Sequence, residues 1–210
     1  DADKISQTSP TVQASTATVT ISADELKQTA VAVQASTSLA VTDADKISQT
    51  APTVQASTAT VTISADELKQ TALVLQASTA LVVVAADYLT QTAPTVQAST
   101  ATVTIDAEPI AQTSIAVQAA TATIATDTDK ISQTSPTVQA STATTEIAGT
   151  TAGTVTGDVV AQASTALVSI SADEIKQTDP TVQASTALVS ISADELKQTR
   201  DVLHALRLTM

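Results

Sequence analysis

The tetrapeptide Gln-Ala-Ser-Thr, or a near copy, starts at Gln13, Gln34, Gln55, Gln76, Gln97, Gln118, Gln139, Gln162 and Gln183. Every spacing is 21 residues except one of 23, between Gln139 and Gln162. A fixed period in this range is the signature of a solenoid, in which no unit buries its apolar face alone and each stacks on its neighbours. The array of units is expected over 1–199, with an irregular, glycine-containing coil at 148–170 and a C-terminal cap over 200–210. If the coils are spaced as strands in a sheet, about 4.8 Å apart, ten of them make a rod on the order of 48 Å long.

Composition suits a thin coil better than a compact globule. The chain contains no Phe, Trp, Cys or Asn, and Tyr88 is its one aromatic residue. A globule of 210 residues needs aromatic bulk at its centre, whereas a narrow coil is filled by one layer of Val, Ile, Leu and Ala. The apolar share of 43% argues against disorder. The net charge is −12, and the two arginines, Arg200 and Arg207, both lie in the tail. A chain so acidic is not expected to bind nucleic acid or an anionic membrane surface. The longest apolar run, Ala80 to Ala86, is too short to insert into a bilayer. Without cysteine there is no disulfide framework, and without Asn no N-glycosylation site. Losing these labile groups suits a long-lived protein, and an extracellular or cell-surface location is expected. No leader segment precedes Asp1, as in a mature form or an excerpt.

In the first unit, Ala17, Val19 and Ile21 alternate with Thr18 and Thr20, which reads as a strand with its apolar members inward. Val12 and Ala14 continue the inward set, and Ser15 with Thr16 marks a corner. The acidic arc has two readings. Ser22 with Glu25 three residues on is a capping box, and Ala23, Leu26 and Ala30 follow helical spacing, so a short helical turn fits. A further extended segment fits equally, and the fold class expected is mainly β: a parallel β-solenoid, with or without that turn. A leucine-rich horseshoe is the alternative, although its Asn or Cys ladder is missing.

Stacking converts each position of the unit into a column. The nine Gln residues named above are expected to bond amide to amide along the rod. Asp3, Asp24, Asp45, Asp66 and Asp87 form a column of like charge, offset by the next position, where Lys4, Glu25, Lys46 and Glu67 alternate in sign. Thr18, Leu39, Thr60, Leu81 and Thr102 also alternate, so the true period of the first half is 42 residues. If that column faces outward, it is a candidate lateral interface. Pro10 and Pro52 lack a ladder donor, which places them at a turn or strand edge. Gly149, Gly153 and Gly157, the only glycines, mark a candidate bulge or hinge. The tail from Asp201 to Leu208 is amphipathic and reads as a helical cap, with His204 at the end of the Gln column.

The junction Val-Thr-Ile-Ser-Ala-Asp-Glu-Leu (19–26), with its variant Val-Thr-Asp-Ala-Asp-Lys-Ile (41–47), resembles the short-strand repeats of large bacterial β-solenoid surface proteins and adhesins. That resemblance implies an extracellular structural or adhesive role, with a surface or matrix partner, and supplies no site residues. A rod segment that self-associates through coil ends and lateral faces is therefore the function expected.

Catalytic chemistry is not signalled. There is one His, no Cys, and no motif for phosphate, nucleotide or zinc. No cofactor is expected. Calcium is the one metal with a candidate donor set, in Asp1 with Asp3, Asp43 with Asp45 and Asp127 with Asp129; Lys4, Lys46 and Lys130 balance those charges more simply. Thr18-Val19-Thr20, Thr60-Val61-Thr62 and Thr102-Val103-Thr104 resemble the Thr-x-Thr motifs of β-solenoid antifreeze proteins, which makes ice binding the alternative function. Leu39-Ala40-Val41 and Leu81-Val82-Val83 interrupt that array at every second coil.

Overall fold

The computed structural model describes residues 2–128, 131–149, 154–157, 159–178, 180–196 and 202–205. They form one sheet of ten strands, in which each pairs in parallel with the next in sequence. The strands are β1 (Ala2–Ile5), β2 (Thr11–Thr29), β3 (Ala32–Thr50), β4 (Thr53–Ala107), β5 (Ile110–Thr128), β6 (Ile131–Gly149), β7 (Thr154–Gly157), β8 (Val160–Thr178), β9 (Thr181–Leu196) and β10 (Val202–Ala205). β4 alone is 55 residues long and winds through more than two coils. The architecture is a β-solenoid of 21-residue coils.

The register follows the repeat without slippage across the first seven coils. Thr11 pairs with Ala32, Ala32 with Thr53, and Ile21 with Thr42, each 21 residues on. Slippage by one residue would turn every inward side chain to solvent, so the buried face fixes the register. Ser36 has no partner between the paired Ala35 and Thr37, and this gap is where the chain turns a corner.

The acidic arc is strand. Ser22 pairs with Asp43, Glu25 with Lys46 and Leu26 with Ile47. A helical turn advances about 1.5 Å per residue against roughly 3.3 Å for a strand, so it would shorten the arc and pull it out of register. Extended backbone instead lets the arc bond to the coils on either side. Val202–Ala205, within the segment expected to be a helical cap, is also strand: it adds to β9, with His204 opposite Gln183. The rest of 200–210 lies outside the described residues. No helix occurs among the described residues, so none there is long and apolar enough to cross a membrane.

The core is one side chain thick. Leu26, Ile47, Leu68, Leu89 and Ile110 form one buried column, Val33, Val54, Leu75, Val96 and Val117 a second, and Val19, Ala40, Val61, Val82 and Val103 a third. Fully burying one such Leu, Ile or Val contributes about 1.5–3 kcal/mol. Ala17, Ala59, Ala80 and Ala101 keep the section narrow. Proline is tolerated more widely than a strand edge: Pro10 and Pro52 lie between strands, but Pro136 sits inside β6 opposite Ile115. Only one backbone donor is lost there, and the Pro10 and Pro52 carbonyls still accept from Ala32 and Val74.

Among the described residues the buried apolar side chains form two clusters, one from Ala17 to Ala143 and the other from Ile147 to Ala184, with Ala163 packed against both. β6 pairs with β7 and then with β8 at an offset of 23, as in Thr134 with Gly157 and Thr137 with Val160. Between β7 and β8 the register shifts between Val155 and Thr156. Gly149 ends β6 and Gly157 ends β7, while Gly153 lies outside the described residues.

Candidate functional site: an outward threonine and leucine face

Strand alternation builds this face. Because Ala17, Val19 and Ile21 point inward, Thr16, Thr18 and Thr20 point outward, and register repeats the pattern in every coil. The first column consists of Thr16, Thr37, Thr58, Thr79, Thr100, Thr121, Thr142, Thr165 and Thr186, all exposed. In the middle column Thr18 pairs with Leu39 and Leu39 with Thr60. Leu39 and Leu81 are each 37% exposed, and Thr18 is exposed while Thr60 and Thr102 are half-buried. The same column continues through Leu167 and Leu188, both exposed. The third column is Thr20, Val41, Thr62, Val83, Thr104, Ala125 and then Glu146, the first charge on the face.

The sequence marks the unbroken threonine column only as part of a corner. Its signal is the Thr of Gln-Ala-Ser-Thr, which recurs in every unit. Which way it points depends on where the corner falls, and Ser15, Ser36 and their equivalents absorb the turn.

Two glutamine ladders frame the rod. Gln13 Nε2 donates to Gln34 Oε1 at 2.7 Å, and the bond passes through Gln55, Gln76, Gln97, Gln118, Gln139 and Gln162 to Gln183 at 2.7–2.9 Å. It crosses the irregular coil intact, at 2.9 Å from Gln139 to Gln162. A second ladder runs from Gln7 through Gln28, Gln49, Gln70 and Gln91 to Gln112 at 2.6–3.0 Å. Primary amides suit this role, since each carries both donor and acceptor and hands the bond on in one direction.

The acidic arc is a solvated face. Asp24, Asp45, Asp66 and Asp87 are exposed. Lys4 pairs with Glu25 at 3.0 Å and Lys46 with Glu67 at 3.9 Å, so the sign alternation forms real ion pairs. The hydrogen bond from Lys4, and then its charge, hold Glu25 below the ordinary value of 4.5. Among the described residues no three His, Cys, Asp or Glu side chains gather into a set able to hold a metal. Asp43 and Asp45 are both exposed, and Asp1 and Asp129 lie outside the described residues.

Comparison with family models, with curated proteins and with solved structures gives no match for this chain.

Proposed function

We propose that this protein is a structural rod that assembles side by side through its threonine and leucine face, outside the cell or at its surface. The observation that carries this reading is the exposure of Leu39 and Leu81 in alternate coils of one uncharged column. Leucines this regular on a solvent face mark an interaction surface. A second copy fits it for a geometric reason. Tall Leu rows and short Thr rows alternate from Thr18 to Thr102, so over these five coils a neighbour displaced by one coil sets its leucines over threonines. The face measures roughly 17 Å by 43 Å, or about 700 Å² per partner, close to the ~800 Å² that each side of a standard interface buries. The surrounding negative charge opposes indiscriminate aggregation, while this face, charged only at Glu146, supplies a place to meet.

Sedimentation velocity and electron microscopy at rising protein concentration test the proposal. Side-by-side pairs and wider ribbons are the expected result. A particle that stays strictly monomeric up to millimolar concentration would overturn it.

One observation favours ice binding as a second reading. The first column is Thr in all nine coils and exposed throughout, so the threonine array is more continuous than the interrupted Thr-x-Thr motifs suggest. Thermal hysteresis separates the two readings.

A further inference from the structure

Where the Gln-Thr-Ala or Gln-Thr-Ser segment of each coil bends, the surface is concave. Stacking merges these bends into one groove parallel to the rod axis, with a volume of 1110 Å³, reaching from Gln7 to Ser135. The second glutamine ladder lines it, together with the exposed small residues Ala30, Ala51, Ala72 and Ala93. Among the described residues no charged side chain lines it. Thr29, Thr50, Thr71, Thr92 and Thr113 also belong to its lining, each no more than 4% exposed. None of these five hydroxyls has a hydrogen-bond partner.

Three features define what such a groove takes. Its lack of charge, in a molecule of net charge −12, selects a neutral ligand and disfavours an anionic one. Its hydrogen-bonding groups recur once per coil, about every 4.8 Å along the axis, whereas an extended peptide would advance by roughly 3.3 Å per residue and fall out of step. Its polar capacity is in excess. Gln28, Gln49, Gln70 and Gln91 each use one amide hydrogen and one carbonyl lone pair on the ladder, and a primary amide has two of each. The threonine hydroxyls are covered, so the spare polar capacity at the groove surface belongs to the ladder amides.

We infer that this groove binds a neutral, linear polysaccharide in an extended conformation, one sugar unit per coil, with the free donors and acceptors of the glutamine column bonding to ring hydroxyls. An extended β-1,4-linked chain advances by one ring in a distance comparable to the inter-strand spacing of about 4.8 Å, with alternate rings turned over, and each ring offers donors and acceptors along its edge. The inference goes beyond lateral assembly, because the groove and the threonine and leucine face are separate surfaces.

Calorimetric and NMR titration of the full chain with cellohexaose tests it, with maltohexaose as the curved and polygalacturonate as the charged comparison. Saturable binding of cellohexaose is expected, with amide shifts centred on Ala51, Ala72 and Ala93. Ala72→Leu with Ala93→Leu, both at exposed positions, fills the groove and should weaken binding at least tenfold. Leu39→Lys with Leu81→Lys should leave the titration unchanged, which separates this inference from lateral assembly. Absence of saturable binding, full binding by the groove-filled variant, or equal binding of maltohexaose or polygalacturonate would overturn it.

Discussion

Thr145 occupies in the seventh coil the inward position that Ile124 fills in the sixth and Val168 in the eighth, and all three are fully buried. Its Oγ1 has no hydrogen-bond partner. A buried hydroxyl without a partner costs about 1–3 kcal/mol, while Val has the same shape. Thr145→Val is therefore expected to raise stability by roughly 1 kcal/mol. Denaturant unfolding measures this, and a loss of stability would mean that the hydroxyl is bonded after all.

Gln55 accepts from Gln34 at 2.9 Å and donates to Gln76 at 2.8 Å, so its removal breaks two links of one ladder. Both bonds are exposed and compete with water, which keeps each at the low end of about 0.5–1.5 kcal/mol. Gln55→Ala should cost roughly 1 kcal/mol in denaturant unfolding. Gln55→Glu should cost more at neutral pH, because a carboxylate accepts but cannot donate. Equal losses for the two variants would show that the direction of the ladder is immaterial.

Leu39 and Leu81 project from the sheet and are not part of either core cluster. Leu39→Lys with Leu81→Lys should shift the unfolding midpoint little, since surface changes usually stay within about 0.5 kcal/mol. It should weaken side-by-side association by tenfold or more in sedimentation. Association equal to that of the native chain would remove this face as the interface, and a collapse in stability would mark the leucines as core.

How far the fold could be read from the sequence follows from what each residue type determines. Period two at Ala17, Val19 and Ile21 has one interpretation, because only a strand places alternate residues on one face. Ser22, Glu25 and Leu26 have two, since over so few residues a capped turn and a strand place the same side chains inward. The choice is made by the coils on either side, which offer backbone partners to an extended arc alone. Threonine is ambiguous in another way. Thr18 is exposed, but Thr42 and Thr126 are buried where Ile63 and Ile105 stand in other coils. The β-branched shape serves both environments, so identity alone cannot say which way a threonine faces. Thr29, Thr50 and Thr71 are buried as well, and the groove beside them arises from backbone curvature that no single residue announces.

The Lys4–Glu25 pair has a definite pH signature. The folded state lowers the Glu25 pKa below 4.5, so the pair stabilises the fold above that value and ceases to do so as the pH falls through the lowered one. Both side chains are substantially exposed, at 75% and 32%, so the effect is small and screened by salt. Unfolding curves of the native chain and of Lys4→Ala should differ slightly at neutral pH and converge in acid. A difference that grew in acid would contradict the sign.

Ice binding requires a regular threonine array, and the outward face supplies complete rows in the first, third and fifth coils only. Thr58, Thr60 and Thr62 make a complete row, whereas the adjacent row is Thr79, Leu81 and Val83. Branched apolar side chains stand above the hydroxyls and disturb any flat layer of water held between them. Glu146 places a charge in the third column, further along the same face. The native chain is therefore expected to give no thermal hysteresis and no ice shaping at millimolar concentration. Leu39→Thr, Val41→Thr, Leu81→Thr and Val83→Thr together extend the full rows from the first coil through the fifth and should produce both effects. Clear hysteresis in the native chain, abolished by Thr60→Leu with Thr62→Leu, would instead make ice the ligand of this face and displace lateral assembly as its purpose.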